Sequence, residues 1–252
     1  MEALCAGCGA LFDARIAGAA GFALLAGFVR GFSGFGGALM FVPLCGLLYD
    51  PRVAVVSLWV IDACSTAPIL PPHLRRAAWR EVVPLLIGSM VALPLGVWIL
   101  AHSDPQPLRW AICIMVLAST AALATGWRYQ QAPTTPVSLA VGGVAGFTNG
   151  AVGIGGPPLV LFWLGGRSDS SLVRSNIFAY FAVSTVLTLG LYAWYGLFTR
   201  PLVLLGLALV PFYAAGLAAG NRLFRRASDT LFRRIALWLC AASALLGLPL
   251  WH

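Results

Sequence analysis

The sequence predicts an all-α polytopic membrane protein made of two inverted repeats, and three observations lead to this fold class. Of its 252 residues, 60% are hydrophobic and 10% are charged, whereas roughly a quarter of a soluble domain's residues are charged. A glycine-rich stretch recurs in the second half of the chain, and arginines are concentrated in alternate loops. These observations predict membrane spans, a duplication and an inversion, respectively.

The apolar segments have lengths typical of membrane-spanning helices. About 20 residues cross a bilayer as a helix. Six segments come close to this length: 53–70, 81–101, 108–126, 172–194, 201–219 and 230–250. Shorter apolar segments at 16–30, 38–49 and 157–164 flank the glycine-rich stretches. Together they give about eight hydrophobic segments.

The glycine-rich stretch GFVRGFSGFGG at 27–37 returns as GFTNGAVGIGG at 146–156, 119 residues further along. The same offset, without a gap, aligns Ser65 with Ser184. Two interrupted hydrophobic segments at matching places in two halves are typical of a transporter binding site. We therefore predict a first repeat at 1–127 and a second at 136–252, joined in one integral membrane unit.

We interpret each glycine-rich stretch as the tip of a re-entrant helical hairpin, or of a broken helix pair, followed by three transmembrane helices. The flanking segments 16–30 and 38–49 would reach roughly 22 and 18 Å at about 1.5 Å per residue, less than the ~30 Å hydrocarbon core. Five short, tilted spans per half would also give an odd number of crossings. Hydropathy counting alone would predict eight spans.

All sixteen basic residues are arginine, and their distribution predicts the topology. Loop 73–80 is rich in arginine while its counterpart 192–199 has none, and the reverse holds for 221–226 and 102–107. Because arginine-rich loops face the cytoplasm, equivalent loops face opposite sides and the repeats are inverted. We place loops 73–80 and 221–234 in the cytoplasm and both termini outside. The net charge of +8 is thus a topology signal rather than a sign of nucleic-acid binding.

A glycine-rich tip offers backbone chemistry suited to an anion. Its N–H groups are free to point at a ligand, and a helix that begins just after the tip adds unpaired amides and about half a positive charge. Pro157 and Pro158, directly after the second tip, are suited to a helix start. Two inverted repeats would bring both tips together near the bilayer centre. The alternative is that these glycines only let helices pack closely.

The stretches GFSGFGGALMFVPL at 31–44 and GAVGIGGPPLVLF at 150–162 resemble the sulfite exporter TauE/SafE family of bacterial membrane proteins. The resemblance covers essentially the whole chain. Residues 172–185, LVRSNIFAYFAVST, are similar to the family's Asn-containing segment, with Asn176 at the Asn position and Ser57 aligned with it in the first half. The resemblance implies a secondary transporter or exporter of sulfite, sulfonates or related oxyanions in the bacterial inner membrane, and not an enzyme.

The predicted substrate site combines the two tips with polar side chains on the segments that follow them. Arg30 is a candidate counter-charge; the alternative is that it reaches from a helix end to the membrane interface. Asp62 is a candidate for proton coupling, since an ionised Asp at mid-span costs about 2.5–3.5 kcal/mol; a hydrated carboxylate is the alternative. The predicted substrate-binding residues are Ser33, Gly34, Phe35, Gly36, Gly37, Ser57, Ser65, Thr66, Asn149, Gly153, Ile154, Gly155, Gly156, Asn176, Ser184 and Thr185.

Two other functions share some of these features. Residues 31–34 match the G-x-S-G string of intramembrane serine proteases, but a serine nucleophile needs a nearby base, and the three histidines fall in predicted loops or at the terminus. An anion channel or uniporter of the same architecture stays open.

The expected partners are a small anion and lipid, without a cofactor, a metal or nucleic acid. Cys5 and Cys8 form a C-x-x-C pair, but neither a second pair nor a ligand histidine accompanies it for zinc. The choice between monomer and homodimer stays open.

Overall fold

All regular structure is helical in the residues that the computed structural model describes, which are 14–33, 35–125, 134–163, 170–224 and 229–248. This confirms the predicted all-α class. The α-helices, in chain order, are α1 (Ala14–Ser33), α2 (Gly37–Leu48), α3 (Pro51–Thr66), α4 (Leu70–Arg76), α5 (Trp79–His102), α6 (Pro105–Ala124), α7 (Thr135–Val152), α8 (Gly156–Trp163), α9 (Ser170–Trp194), α10 (Arg200–Phe224) and α11 (Asp229–Gly247). A short 3-10 turn, Ala67–Ile69, joins α3 to α4.

Within the described residues, six helical segments are long and apolar enough to cross a membrane, which confirms a multi-pass membrane protein. They are α1, α3 together with α4, α5, α6, α9 and α10. α2, with 12 residues, and Leu237–Gly247 of α11 are apolar but shorter. α1 has 20 residues and is longer than the predicted segment 16–30, because its helix continues through Gly31 to Ser33.

The two halves contain the same succession of helices. α7 ends at Val152 and α8 begins at Gly156, each 119 residues after the end of α1 at Ser33 and the start of α2 at Gly37. Each glycine-rich stretch therefore separates the two arms of a hairpin. Three longer helical segments follow in each half, namely α3 with α4, α5 and α6, and then α9, α10 and α11.

α1 and α2 form an antiparallel hairpin whose tip is the glycine-rich break. A Cβ placed on Gly18, near the start of α1, would lie 3.1 Å from Cδ1 of Leu48 at the end of α2. α3 begins beside this open end, where Asp50 caps the helix by accepting a hydrogen bond from the backbone N–H of Arg52 at 2.8 Å. α3 therefore starts at the level where α1 starts.

The turn between α5 and α6 lies at the same end of the bundle as the base of the first hairpin. Arg52 donates a hydrogen bond to the carbonyl oxygen of Ser103, and Arg109 donates to that of Tyr49 at 3.5 Å. The rings of His102 and Tyr195 lie 6.1 Å apart at the same end. The helices α5 and α9 therefore both finish at this end.

The second hairpin opens at the opposite end of the bundle. Trp163, the last residue of α8, donates a hydrogen bond to Glu81 at the start of α5 (3.1 Å), and Asn176 near the start of α9 accepts one from the backbone N–H of Ala78 (2.8 Å). Opposite open ends are the relation expected of inverted repeats. The arginines of loop 73–80, which the sequence places in the cytoplasm, lie at this second end: Arg75, Arg76 and Arg80.

Helices of opposite halves pack in two close, parallel pairs, α1 with α10 and α5 with α7. A Cβ on Gly142 of α7 would overlap the carbonyl oxygen of Leu85 on α5, and one on Gly150 would lie 2.6 Å from that of Leu93. A Cβ on Gly31 of α1 would likewise overlap the carbonyl oxygen of Leu217 on α10. The first glycines of each stretch thus serve helix packing, the alternative that the sequence raised, whereas the later ones form the tips.

Candidate functional site

The two hairpin tips meet in the interior of the bundle. A Cβ placed on Gly156, the first residue of α8, would lie 2.9 Å from the Cβ of Phe35 in the first tip. Gly153 ends α7 in the left-handed conformation, with φ 74°, which favours glycine. Gly36 is the residue before α2. The N-terminal ends of α2 and α8 therefore lie close together.

A small cavity of about 30 Å³ lies at this meeting point. Both tips, the candidate charges and apolar side chains from three further helices form its wall. Of the residues singled out from the sequence, it is lined by Arg30, Phe35, Asp62, Gly153, Ile154, Gly155 and Gly156. The other lining residues are Ala38, Leu39, Leu58, Trp59, Pro157, Phe181 and Tyr213.

Arg30 and Asp62 form a buried ion pair at this cavity. Nε of Arg30 donates a hydrogen bond to Oδ1 of Asp62 at 3.1 Å, and Nη2 donates to Oδ2 at 2.9 Å. The hydroxyl of Tyr213 on α10 donates to the same Oδ1 at 2.9 Å. The two charged side chains are only 5% and 9% exposed, so neither an interfacial arginine nor a hydrated carboxylate describes them. The two candidate charges are partners, which the sequence analysis did not predict.

Aromatic rings hold the Arg30 guanidinium from the side of α9. Its Cζ lies 4.6 Å from the ring centroid of Phe181 and 5.5 Å from that of Phe178, distances at which a cation is attracted to a ring face. Gly37 leaves room for Tyr213, which is the third member of the cluster with Arg30 and Asp62. A Cβ at Gly37 would lie 2.6 Å from the hydroxyl oxygen of Tyr213. The cationic group is thus fixed by contacts besides its carboxylate.

The second half has a neutral cluster where the first half has the ion pair. Asn149, at the position equivalent to Arg30, is fully buried and donates from Nδ2 to Ser184 at 3.2 Å and to Thr188 at 3.4 Å. Its Oδ1 has no hydrogen-bond partner among the described residues and faces Gly155, where a Cβ would lie 2.9 Å away. This cluster packs behind the second tip rather than lining the cavity.

Asn176 lies in a different polar cluster, at the start of α5. Its Oδ1 accepts the backbone N–H of Ala78 at 2.8 Å, and its Nδ2 donates to Glu81 at 3.2 Å. Trp163 donates to the same Glu81 carboxylate oxygen at 3.1 Å. Both ends of the Asn176 amide are therefore used to join α9 to the N-terminus of α5, away from the cavity.

The remaining predicted polar residues do not line the cavity. The hydroxyl of Ser57 donates to the carbonyl of Ala54 within α3 at 3.3 Å, and that of Thr66 donates to the carbonyl of Asp62 at 2.6 Å. Three others are buried in the helices: Ser65, Ser184 and Thr185. Gly34 and the side chain of Ser33 lie outside the described residues.

Sequence reasoning missed the aromatic part of the site. Trp59, Phe181 and Tyr213 line the cavity, and two of them contact the ion pair. Large aromatic residues in apolar segments resemble ordinary core residues, so they carry no distinct signal. The pairing of Arg30 with Asp62 could have been found from the rule that ionisable groups inside a membrane pair with one another.

Two helix ends contribute to the electrostatics of the cavity. The N-terminal ends of α2 and α8 lie at it, and a helix N-terminus carries a partial positive charge. The Arg30 charge is balanced by Asp62 in this state. An added anion would therefore meet backbone dipoles directly, and a full positive charge only if Asp62 moved.

Comparison with known protein families assigns the chain to one of them. No curated protein and no solved structure shows a significant match to it. The model of the family described as "Sulfite exporter TauE/SafE" matches residues 19–246, which include both hairpins and the cavity. This is a family of transporters of sulfur-containing anions. The chain belongs to the sulfite exporter TauE/SafE family.

Proposed function

We propose that this protein is a secondary transporter that moves small sulfur oxyanions, such as sulfite and sulfonates, across the bacterial inner membrane, with the anion held between the two glycine tips. The observation that carries the proposal is the meeting of the tips, Phe35 against Gly156, at a cavity faced by two helix N-termini. Helix N-termini of broken helices bind anionic groups in other transporters. Family membership supports the class of cargo.

The cavity is small in this conformation, with a volume of about 30 Å³. We expect the tips to separate when an anion enters, because Phe35 and Gly156 are in direct contact there. Because the two hairpins open at opposite ends of the bundle, moving one hairpin at a time would expose the cavity to one side and then to the other, as alternating access requires.

The transport activity is tested by measuring flux in proteoliposomes that contain the purified full chain. Sulfite, methanesulfonate and sulfate are offered over a range of concentrations. We expect saturable flux of sulfite or methanesulfonate with mutual competition. Flux that rises without saturation would identify a channel, and no flux of any of the three anions would contradict the proposal.

The location of the anion is tested with a matched pair of substitutions at Ile154. This residue lines the cavity in the second tip and is 1% exposed. Ile154→Asp adds a negative charge beside the proposed anion, and Ile154→Asn adds a polar side chain of the same shape without the charge. We expect the Asp variant to bind sulfite more weakly than the Asn variant, by a factor that grows between pH 6 and 8, because only the ionised carboxylate repels the anion. Equal affinities would place the anion elsewhere.

A further inference from the structure

The Asp62 carboxylate occupies a position on Arg30 that suits an oxyanion. Two parallel N–H···O bonds from one guanidinium, here 3.1 and 2.9 Å long, are also the geometry by which arginine binds the oxygens of other oxyanions. Arg30 and Asp62 line the same cavity as Gly153, Gly155 and Gly156. An anion between the tips is therefore within the cavity that also contains this internal carboxylate.

We propose that the transported oxyanion replaces Asp62 on Arg30, and that Asp62 takes up one proton from solution as it is displaced. This inference rests on the proposed function. In the empty protein the cavity holds one internal ion pair with no net charge. In the loaded protein it holds the ion pair of Arg30 with the oxyanion, beside a neutral carboxylic acid. Anion and proton are then bound together and released together.

Asp62 is expected to take up a proton because its side chain is buried. The Asp62 side chain is 9% exposed, so once it loses Arg30 its ionised form would be an unpaired charge in the protein interior. Leaving a buried charge without its partner is strongly unfavourable, and protonation removes that charge. The hydroxyl of Tyr213, 2.9 Å from Oδ1, can accept the new O–H of the acid as readily as it now donates to the carboxylate.

Arg30 can remain at the cavity when Asp62 leaves. The rings of Phe181 and Phe178 lie 4.6 and 5.5 Å from its Cζ and hold the guanidinium independently of the carboxylate. Both rings belong to α9, whereas Asp62 belongs to α3. A movement of the Asp62 side chain therefore leaves these contacts of the cation intact.

The ionisable groups around Asp62 come from four helices. From α1 it faces Arg30, and from α10 the hydroxyl of Tyr213. On α9, Arg174 lies with its Cζ 5.6 Å from the Phe178 ring, and on α4 the His73 ring stacks on that same ring at 4.5 Å. Among the residues that line the cavity, Asp62 is the one carboxylate.

The expected ratio of protons to anions follows from a difference between the two halves of the chain. At the positions equivalent to Arg30 and Asp62, the second half has Asn149 and Phe181. Among the described residues, one guanidinium and one carboxylate therefore line the cavity. One anion bound should be accompanied by one proton taken up by the protein.

The experiment measures methanesulfonate binding to the purified full chain by calorimetry between pH 6 and 8, in two buffers with different heats of protonation. Methanesulfonate is used because its sulfonate does not titrate in this range. We expect uptake of one proton per anion, and an apparent Kd that rises by about tenfold per pH unit. Sulfite is the second ligand, with its own titration in protein-free buffer subtracted.

Two variants and a control test the assignment to Asp62. Asp62→Asn removes the titrating group and should bind methanesulfonate with a Kd that changes less than twofold between pH 6 and 8. Arg30→Gln should bind at least a hundredfold more weakly at every pH. Asp104→Asn, which neutralises an exposed carboxylate before α6, should keep the pH dependence of the native chain.

The outcomes separate the two proposals. Binding of methanesulfonate or sulfite without proton uptake would overturn the exchange at Arg30 and leave the proposed function standing. Binding of neither anion to the native chain would contradict the proposed function, and this inference with it. Because the proton count is made on the native chain, it decides the question even if the Asp62→Asn variant does not fold.

Discussion

Phe35 in the first hairpin tip lies directly against Gly156 in the second, with only 2.9 Å between its Cβ and the place where a Cβ on Gly156 would be. The two residues belong to different halves of the chain and come from opposite ends of the bundle. Their contact closes one wall of the cavity. Any motion that opens the cavity between the tips must separate them.

Gly156→Ala should therefore weaken transport without preventing folding. Alanine is a good helix former at the first position of α8, but its methyl group would push against Phe35 and hold the tips apart. We expect sulfite affinity to fall at least fivefold while the thermal unfolding temperature in detergent changes little. Gly46→Ala is the control, because a Cβ at Gly46 meets nothing within 4 Å. Equal flux in both variants would show that the tip contact is not needed.

Gly142→Ala should destabilise the fold by about 1–3 kcal/mol, the typical cost of overpacking. A Cβ at Gly142 would overlap the carbonyl oxygen of Leu85, so α5 and α7 would have to move apart. Gly143→Ala is a closely matched control on the next residue, where the nearest atom, the carbonyl oxygen of Gly88, is 3.7 Å away. Thermal unfolding in detergent measures the stability of both variants. Equal unfolding temperatures would contradict the close packing of these helices.

Removing one member of the Arg30–Asp62 pair should cost more stability than removing both. Arg30→Met and Asp62→Leu each leave one buried charge without its partner, which costs about 3–5 kcal/mol. The double variant leaves neither charge, so we expect it to recover most of the loss. Unfolding measurements on the three variants and the native chain form a double-mutant cycle. Additive losses would mean that the two side chains do not interact.

Asn176→Ala should affect stability rather than the anion. The substitution removes the acceptor of the Ala78 N–H and one donor to Glu81, and an unsatisfied buried group costs about 1–3 kcal/mol. We expect a lower unfolding temperature and a change in sulfite Kd of less than threefold. If instead affinity falls tenfold at unchanged stability, the substrate role predicted from the sequence is the correct one.

Cysteine labelling tests the predicted orientation. On a background from which the native cysteines have been removed, Arg76→Cys and Asp104→Cys place single thiols at exposed positions near opposite ends of α5. In intact cells a membrane-impermeant maleimide should label position 104 and leave position 76 unlabelled until the membrane is opened. The reverse pattern would invert the topology assigned from the arginines.

The positions of the two helix breaks could be predicted because their signal is local and repeated. The break between Val152 and Gly156 falls 119 residues after the break between Ser33 and Gly37, as the repeated glycines indicate. Residues Phe35 and Gly153 through Gly156, predicted at the tips, do line the cavity. Glycine is favoured at a helix start or in a left-handed turn because it has no Cβ. Such positions can be recognised in a single sequence.

The ion pair could not be predicted in the same way, because it depends on the relative depth of separate helices. Arg30 and Asp62 are 32 residues apart, and they meet because α3 starts level with the base of the first hairpin and packs against α2 and α10. Tyr213 reaches them through the packing of α10 on α1. Asn176 shows the same limit: the resemblance indicated a substrate ligand, whereas in the structure its amide joins two helix ends.

The crossed packing of the halves makes each half depend on the other. α1 rests on α10, and α7 rests on α5, so the hairpin of each half is completed by a long helix of the other. A single half in a bilayer would leave the glycine-lined side of its hairpin open to lipid. Neither half is therefore expected to form a stable hairpin in a bilayer on its own, although both charges that line the cavity, Arg30 and Asp62, belong to the first half.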